Sequence, residues 1–371
     1  MPRVLCVDDN LDKAKEIGEI LSAWDSPYGK FTVDVETNFG NAVEKLKNMH
    51  FDMVTLDLHG SKDPDPLEDD GEQEEQEGKK VLDQLRKIRF VPVIFYTGYA
   101  HKIQMLETGV VKVVQKGGND LENVRSATQS IYGTGLPELL QHIEEEKRTF
   151  IWDTVDKMWA DMGAEGEPED LAYLLARRLA ARFNRESIKE LLKHKIGAAK
   201  PIEMYIYPPL EEVINTGCII KMAGDDYWLV ATPACDFAQN KADKVLLIGA
   251  KPLESDFRYI KWTETGSWKG KESGTAPKSQ ESKDAYENLK MLLKLKAGDR
   301  YRILPKTFFL KDLVVDFQEM KQVSSEEALK AHIICRIDSP YREEILLRFS
   351  RYYGRLGVPD IEMGLVERVF S

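Results

Sequence analysis

The first 116 residues predict an α/β fold built on a parallel sheet, and two observations carry that reading. Short, largely apolar runs alternate with helical stretches, as in strands buried on both faces. Each run also ends on a residue with chemistry to offer. Val4-Leu5-Cys6-Val7 leads into Asp8 and Asp9, and Met53-Val54-Thr55-Leu56 leads into Asp57. Val93-Ile94-Phe95-Tyr96 leads into Thr97, and Val110-Val111-Lys112-Val113-Val114-Gln115 into Lys116. Parallel sheets gather their functional groups at the carboxyl ends of the strands. Three carboxylates, a hydroxyl and an ammonium are therefore expected on one edge.

That set of groups suits phosphoryl transfer with an acceptor inside the protein. Clustered carboxylates repel one another, and a hard divalent cation relieves the repulsion. Mg²⁺ fits because it retains waters and needs only one or two carboxylates plus phosphate oxygens. Asp9 and Asp57 are the expected direct ligands, with Asp8 acting mainly through water and the backbone carbonyl of His59 supplying a further oxygen. Asp57 is also the expected nucleophile, since a carboxylate attacking phosphorus gives an aspartyl-phosphate. Thr97 and Lys116 then hold two phosphoryl oxygens. Any one of these positions, taken alone, also reads as a turn former or a solvated loop residue.

Residues 1 to about 131 resemble a response-regulator receiver domain. The motifs are Val4 through Asn10, Leu56-Asp57-Leu58, Val91 through Gly98, and Gly109 through Lys116. The resemblance implies a flavodoxin-like five-stranded parallel sheet and a phosphoryl group received from a histidine kinase or phosphotransfer protein. Three departures stand out. Val113 occupies the place, three before the Lys, where receivers commonly carry a switch aromatic. Gly117 follows Lys116 where Pro is usual. Between His59 and Gly78 lies a long loop, and residues 60–77 hold nine acidic side chains and one Lys, a net of −8 in a chain of −11. This insertion either is simply solvated or gates the site and tunes partner choice through its charge.

At 371 residues the chain should hold two or three domains. The expected division is a receiver over 1–131, a helical connector over 132–200 and an α+β output or partner-binding domain over 201–371. No long apolar segment or secretory leader is evident, and four dispersed Cys residues suit a reducing cytoplasm. In the connector, apolar residues recur from Leu136 through Leu140, Ile143, Phe150, Ile151, Val155, Met158 and Met162. That spacing predicts an amphipathic helix over 136–162, either paired with its copy in a homodimer or packed on its own domain. Leu171 to Phe183 and Ile188 to Lys195 read as two shorter helices.

Beyond Pro201 the periodicity shortens. Met204–Tyr207, Cys218–Met222, Tyr227–Ala231, Val245–Ile248, Tyr301–Leu304, Val314–Phe317 and His332–Ile337 read as strands of a small bent sheet or barrel. Helices are expected over Asp284–Lys296 and Tyr341–Leu356. Cys235, beside Asp236, reads either as a thiol nucleophile or as a small buried residue in a turn. A zinc site from Cys218, Cys235, His332 and Cys335 is disfavoured, because His332 and Cys335 should face opposite ways on one strand. Arg348, Arg351 and Arg355 share a helix face that either is solvated or meets phosphates. The acidic balance and the lack of a DNA-binding motif argue against nucleic acid. Thr232–Ile248 and Ser339–Pro359 resemble segments of receiver-containing proteins of Detocs-type antiphage systems. That implies a phosphoryl intermediary acting on a downstream effector protein.

Overall fold

The computed structural model describes residues 1–57, 82–98, 100–156, 168–183, 185–191, 199–210, 213–222, 226–270, 274, 276–294, 298–355 and 368–369. His59 and the acidic segment 60–77 lie outside the described residues. The chain divides into two compact units, residues 1–196 and 197–371.

In the first unit five parallel strands form one sheet in the order β2-β1-β3-β4-β5. They are β1 (Arg3–Val7), β2 (Thr32–Glu36), β3 (Met53–Leu56), β4 (Val93–Thr97) and β5 (Val111–Gln115). This is the flavodoxin-like order. The apolar runs follow from burial on both faces. Val4, Cys6, Met53, Ile94 and Tyr96 enter one core layer, which also takes Ile17, Leu21, Val124 and Ile131 from two helices. Leu5, Val7, Val54, Leu56, Val93 and Phe95 enter the opposite layer with Ala42, Leu46, Leu82 and Leu85. Alternate residues of each central strand thus serve opposite cores, which leaves little room for polar residues until the strand ends.

The helices begin where their caps dictate. Helix α1 (Leu11–Ser22) is capped by Asn10, whose side chain accepts from the N–H groups of Asp12 and Lys13. Helix α2 (Phe39–Asn48) is capped by Asn38 in the same way. Residues 82–88 form α3, Ala100–Ile103 the short α4, and Asp120–Tyr132 α5.

The connector folds within this first unit. Helix α6 (Leu136–Phe150) passes into a π-helical turn, Ile151–Val155, so the expected regular repeat breaks there; residues 157–162 lie outside the described residues. Two more helices follow, α7 (Pro168–Arg182) and α8 (Arg185–Leu191). Part of the α6 seam is occupied inside the unit. Phe150 is buried with the Arg178 guanidinium 4.7 Å from its ring centre, and Arg182 Nε lies 2.8 Å from Glu146. Leu140 and Ile143 line a cleft of about 900 Å³ with Met49 and Phe90.

The second unit is a curled antiparallel sheet in the order β10-β11-β9-β8-β7-β12-β6. Its strands are β6 (Tyr205–Ile206), β7 (Cys218–Lys221), β8 (Tyr227–Val230), β9 (Lys244–Pro252), β10 (Tyr301–Leu304), β11 (Leu313–Ser324) and β12 (His332–Ile337). The bend has a local cause. Asp316 of β11 pairs with Gly249, yet Met320 pairs with the next residue, Ile248, so residues 317–319 bulge out of the ladder. Phe317 turns fully into the core, while the Glu319 side chain lies across Gly249, where an added Cβ would sit 2.7 Å from it. The curl brings the two sheet edges together: the Tyr205 hydroxyl donates to the carbonyl of Pro305 at 3.0 Å.

Helix α13 (Tyr341–Gly354) fills the curl with Ile345 and Tyr352. Helices α10 (Phe257–Glu264) and α11 (Gln280–Leu293) cover the far side of β9–β11 through Leu289, Leu292 and Trp262. Two shorter helices, α9 (Ala234–Ala238) and α12 (Ser325–Ala328), complete the unit. No helix among the described residues is long and apolar enough to cross a membrane.

Phe317 anchors both the bulge and the core of this unit. Phe317→Ala should destabilise it by about 3–5 kcal/mol, read as a lower urea midpoint for the far-UV signal. A loss below about 1 kcal/mol would show that the bulge does not organise the sheet.

Candidate functional site

Adjacent strands β1, β3, β4 and β5 deliver their terminal residues to one edge of the first sheet. Backbone hydrogen bonds hold those residues in line: the N–H of Asp57 donates to the carbonyl of Val7 at 2.9 Å, and that of Lys116 to the carbonyl of Thr97 at 2.8 Å. Beyond Lys116 the chain turns through Gly117 and Gly118, with φ of +89° and +100°. Proline cannot adopt that conformation, which accounts for Gly in the place where receivers commonly carry Pro. The side chain of Gln115 secures the neighbouring loop, donating to the carbonyl of Gly98 at 2.6 Å and accepting from the N–H of Ala100 at 3.2 Å.

Lys116 is the centre of the arrangement. Its Nζ lies 2.7 Å from Asp57 Oδ2 and 2.8 Å from Asp8 Oδ2. The other oxygen of Asp8 accepts from the N–H of Asn10 at 2.9 Å, tying the carboxylate to the start of α1. Asp8 and the Asp57 side chain are almost wholly buried, whereas Asp9 is exposed. Carboxylate oxygens of Asp8, Asp9 and Asp57 lie within 4.8 Å of one another. Among the described residues this is the one such cluster of potential metal ligands. Thr97, at the end of β4, is 1% exposed.

Charge counting shows what the cluster lacks. Three carboxylates and one ammonium leave two negative charges uncompensated, on hard oxygen donors with one member open to solvent. That donor set fits Mg²⁺. Burial alone pushes the Lys116 ammonium down, but its hydrogen bonds to Asp57 and Asp8 outweigh burial and hold it above the ordinary lysine value.

The structure brings Asp8, Asp9, Asp57 and Lys116 into one cluster and sets Thr97 at the end of the neighbouring strand. It adds one residue that sequence reasoning missed. The Tyr96 ring centre lies 5.4 Å from Lys116 Nζ. Burial first, and the Asp120 carboxylate beside it second, push its phenol above the usual tyrosine value. The signal available was an aromatic immediately before Thr97, hidden because it reads as one more core residue.

The other sequence candidates do not assemble into sites. Cys235 is exposed on α9, not buried in a turn as one reading expected, and its hydrogen-bond partner among the described residues is Asp236, at 3.6 Å. The imidazole that a thiol nucleophile needs is not among those contacts. Cys335 is buried in the sheet core and pushed up to about 12 by burial, while His332 on the same strand is exposed. Two of the three arginines expected on one face are engaged: Arg348 of α13 meets Glu344 at 3.0 Å and Asp299 at 3.7 Å, and the guanidinium of Arg355, the C-cap of α13, lies 4.1 Å from the Tyr352 ring centre.

No protein-family model matches the chain, and no curated protein matches it. Solved structures do resemble its N-terminal part. A response-regulator receiver protein from Sinorhizobium medicae is 17% identical over 35% of this chain and 94% of its own, with a TM-score of 0.27. A CheY-like receiver domain protein from Methanospirillum hungatei is 23% identical over 36% and 95%, at 0.27. The response regulator TrrA from Thermotoga maritima, solved with Mg²⁺ and BeF, is 20% identical over 35% and 99%, at 0.26. The chemistry of the site rests on this chain's own side chains, not on those likenesses.

Removing charge from the cluster should change cation affinity in opposite directions. Asp57→Asn or Asp9→Ala should weaken Mg²⁺ binding roughly tenfold, and Lys116→Met should tighten it by a similar factor, in titrations at fixed ionic strength. Since the folded pKa of Lys116 is raised, its charge contributes fully below the ordinary value of 10.5 and is lost only as pH rises through the higher folded value. The Lys116→Met effect should therefore be the same at pH 7 and pH 9.

Proposed function

We propose that this protein accepts a phosphoryl group on Asp57 and relays or buffers that signal through its second unit, as a two-component-type signalling protein. The observation that carries the reading is the Lys116 ammonium bound at once by Asp57 and Asp8 at the carboxyl edge of a β2-β1-β3-β4-β5 sheet.

The chain's own groups have natural roles in that reaction. A carboxylate oxygen of Asp57 attacks phosphorus; the bond from phosphorus to the donor's nitrogen or oxygen breaks, and its electron pair leaves with the donor. The product is a mixed carboxylic–phosphoric anhydride. Negative charge grows on the phosphoryl oxygens during this step, and Lys116 presents a fixed positive charge 2.7 Å from the attacking carboxylate. The Thr97 hydroxyl is the proposed donor to a second phosphoryl oxygen. Asp9 and Asp57, with Asp8 mainly through water, would hold Mg²⁺. When bound, that ion neutralises the paired carboxylates and the incoming oxygens together.

A histidine kinase or phosphotransfer protein is the proposed donor, and an effector protein the proposed recipient of the signal. A setting in phage defence belongs to the proposal through the resemblance read in the sequence of Thr232–Ile248 and Ser339–Pro359. With Val113 at the usual switch position, transmission from Thr97 cannot use an aromatic there; Tyr96, its ring centre 5.4 Å from Lys116 Nζ, is the aromatic proposed to respond to the site.

Intact-mass analysis after incubation with a small phosphodonor such as acetyl phosphate tests the reading. One phosphoryl group should be gained in the presence of Mg²⁺, and none without Mg²⁺ or in Asp57→Asn. A gain that persists in Asp57→Asn would overturn the assignment.

A further inference from the structure

We infer that two copies of this chain associate through the outward face of α7, antiparallel and about a two-fold axis between Tyr173 and Leu174. Helix α7 has two distinct sides. One lies toward α6, with Arg178 over the Phe150 ring and Arg182 on Glu146. At about 100° per residue, Asp170, Leu174, Arg177 and Ala181 fall in a second stripe, with Tyr173 at its margin. All five are exposed, Tyr173 at 72% and Leu174 at 51%. Two adjacent large apolar side chains left open on a helix that packs on its other side mark an association face.

The charges on the stripe select the occupant. Asp170 precedes Tyr173 by three residues, and Arg177 follows Leu174 by three. The order acid, aromatic, aliphatic, base is therefore complementary to itself when reversed. An antiparallel copy sets Tyr173 against the second copy's Leu174 and Asp170 against its Arg177, with each contact made twice, as an isologous interface requires. The stripe carries no net charge, so neither an acidic nor a basic partner is favoured over a second copy. Among the described residues neither Asp170 nor Arg177 makes an ion pair within its own chain. This face is distinct from the α6 seam, part of which is occupied by α7 itself.

Sedimentation equilibrium of the full-length chain and two charge variants tests the inference. Wild type should be dimeric. Asp170→Arg sets two Arg–Arg contacts across the axis and Arg177→Asp sets two Asp–Asp contacts; each should weaken association about 100-fold. An equimolar mixture of the two variants should recover a dimer of wild-type strength, because Arg at 170 then meets Asp at 177 and Arg177 meets Asp170. Recovery on mixing separates a lost interface from a misfolded helix. A monomeric wild type, variants that remain dimeric, or a mixture that stays monomeric would each overturn the proposal.

Discussion

The N-terminal unit depends on one electrostatic compromise. Asp8 and Asp57 are nearly buried, and two buried carboxylates side by side are costly unless a cation joins them. Lys116 supplies that cation from the far strand, at 2.7 and 2.8 Å. The sheet order sets this up, because β1, β3, β4 and β5 lie side by side and end at or just before residues 8, 57, 97 and 116 along one edge. The compromise also explains the turn that follows. Lys116 can reach back over the edge because Gly117 and Gly118 take the chain away through left-handed conformations. With the exposed Asp9 counted, the cluster keeps two negative charges uncompensated, and that deficit makes the edge receptive to a divalent cation and to a ligand that arrives with it.

Much of this was legible in the sequence, for a physical reason. Strands buried on both faces admit almost no polar residue, so Asp8, Asp57, Thr97 and Lys116 are conspicuous where burial ends. The caps went unread, although Asn10 and Asn38 stand directly before their helices. What else escaped was set by long-range contacts. Tyr96 looks like any core aromatic until β5 places Lys116 against it. The connector's repeat looks continuous in sequence, yet the helix slips into a π-helical turn at Ile151, just past the buried Phe150.

The second unit was read as strands with the right general character but the wrong lengths. β9 and β11 run on to Pro252 and Ser324, well past the expected ends at Ile248 and Phe317. In β11 the cause is the bulge at residues 317–319, which resets the alternation; in β9 the run past Ile248 contains Gly249, Lys251 and Pro252, which read as a turn. Helix α10 went unread although Asp256 caps it, accepting from the N–H of Arg258. Three aromatics in eight residues (Phe257, Tyr259, Trp262) disguise it as strand. Arg258, clamped by Asp256 at 2.8 Å and stacked 4.1 Å from the Tyr301 ring, ties that helix to the sheet and is structural in character.

The most direct measurement is chemical location of the phosphoryl group. Treating the phosphorylated protein with borohydride reduces an acyl phosphate at its acceptor to the alcohol, which turns an aspartate into homoserine. Peptide sequencing then reads the position. Homoserine is expected at residue 57 alone, dependent on Mg²⁺ during phosphorylation. Homoserine at another aspartate, or a phosphoryl group that survives borohydride because it sits on a hydroxyl or imidazole, would contradict that expectation.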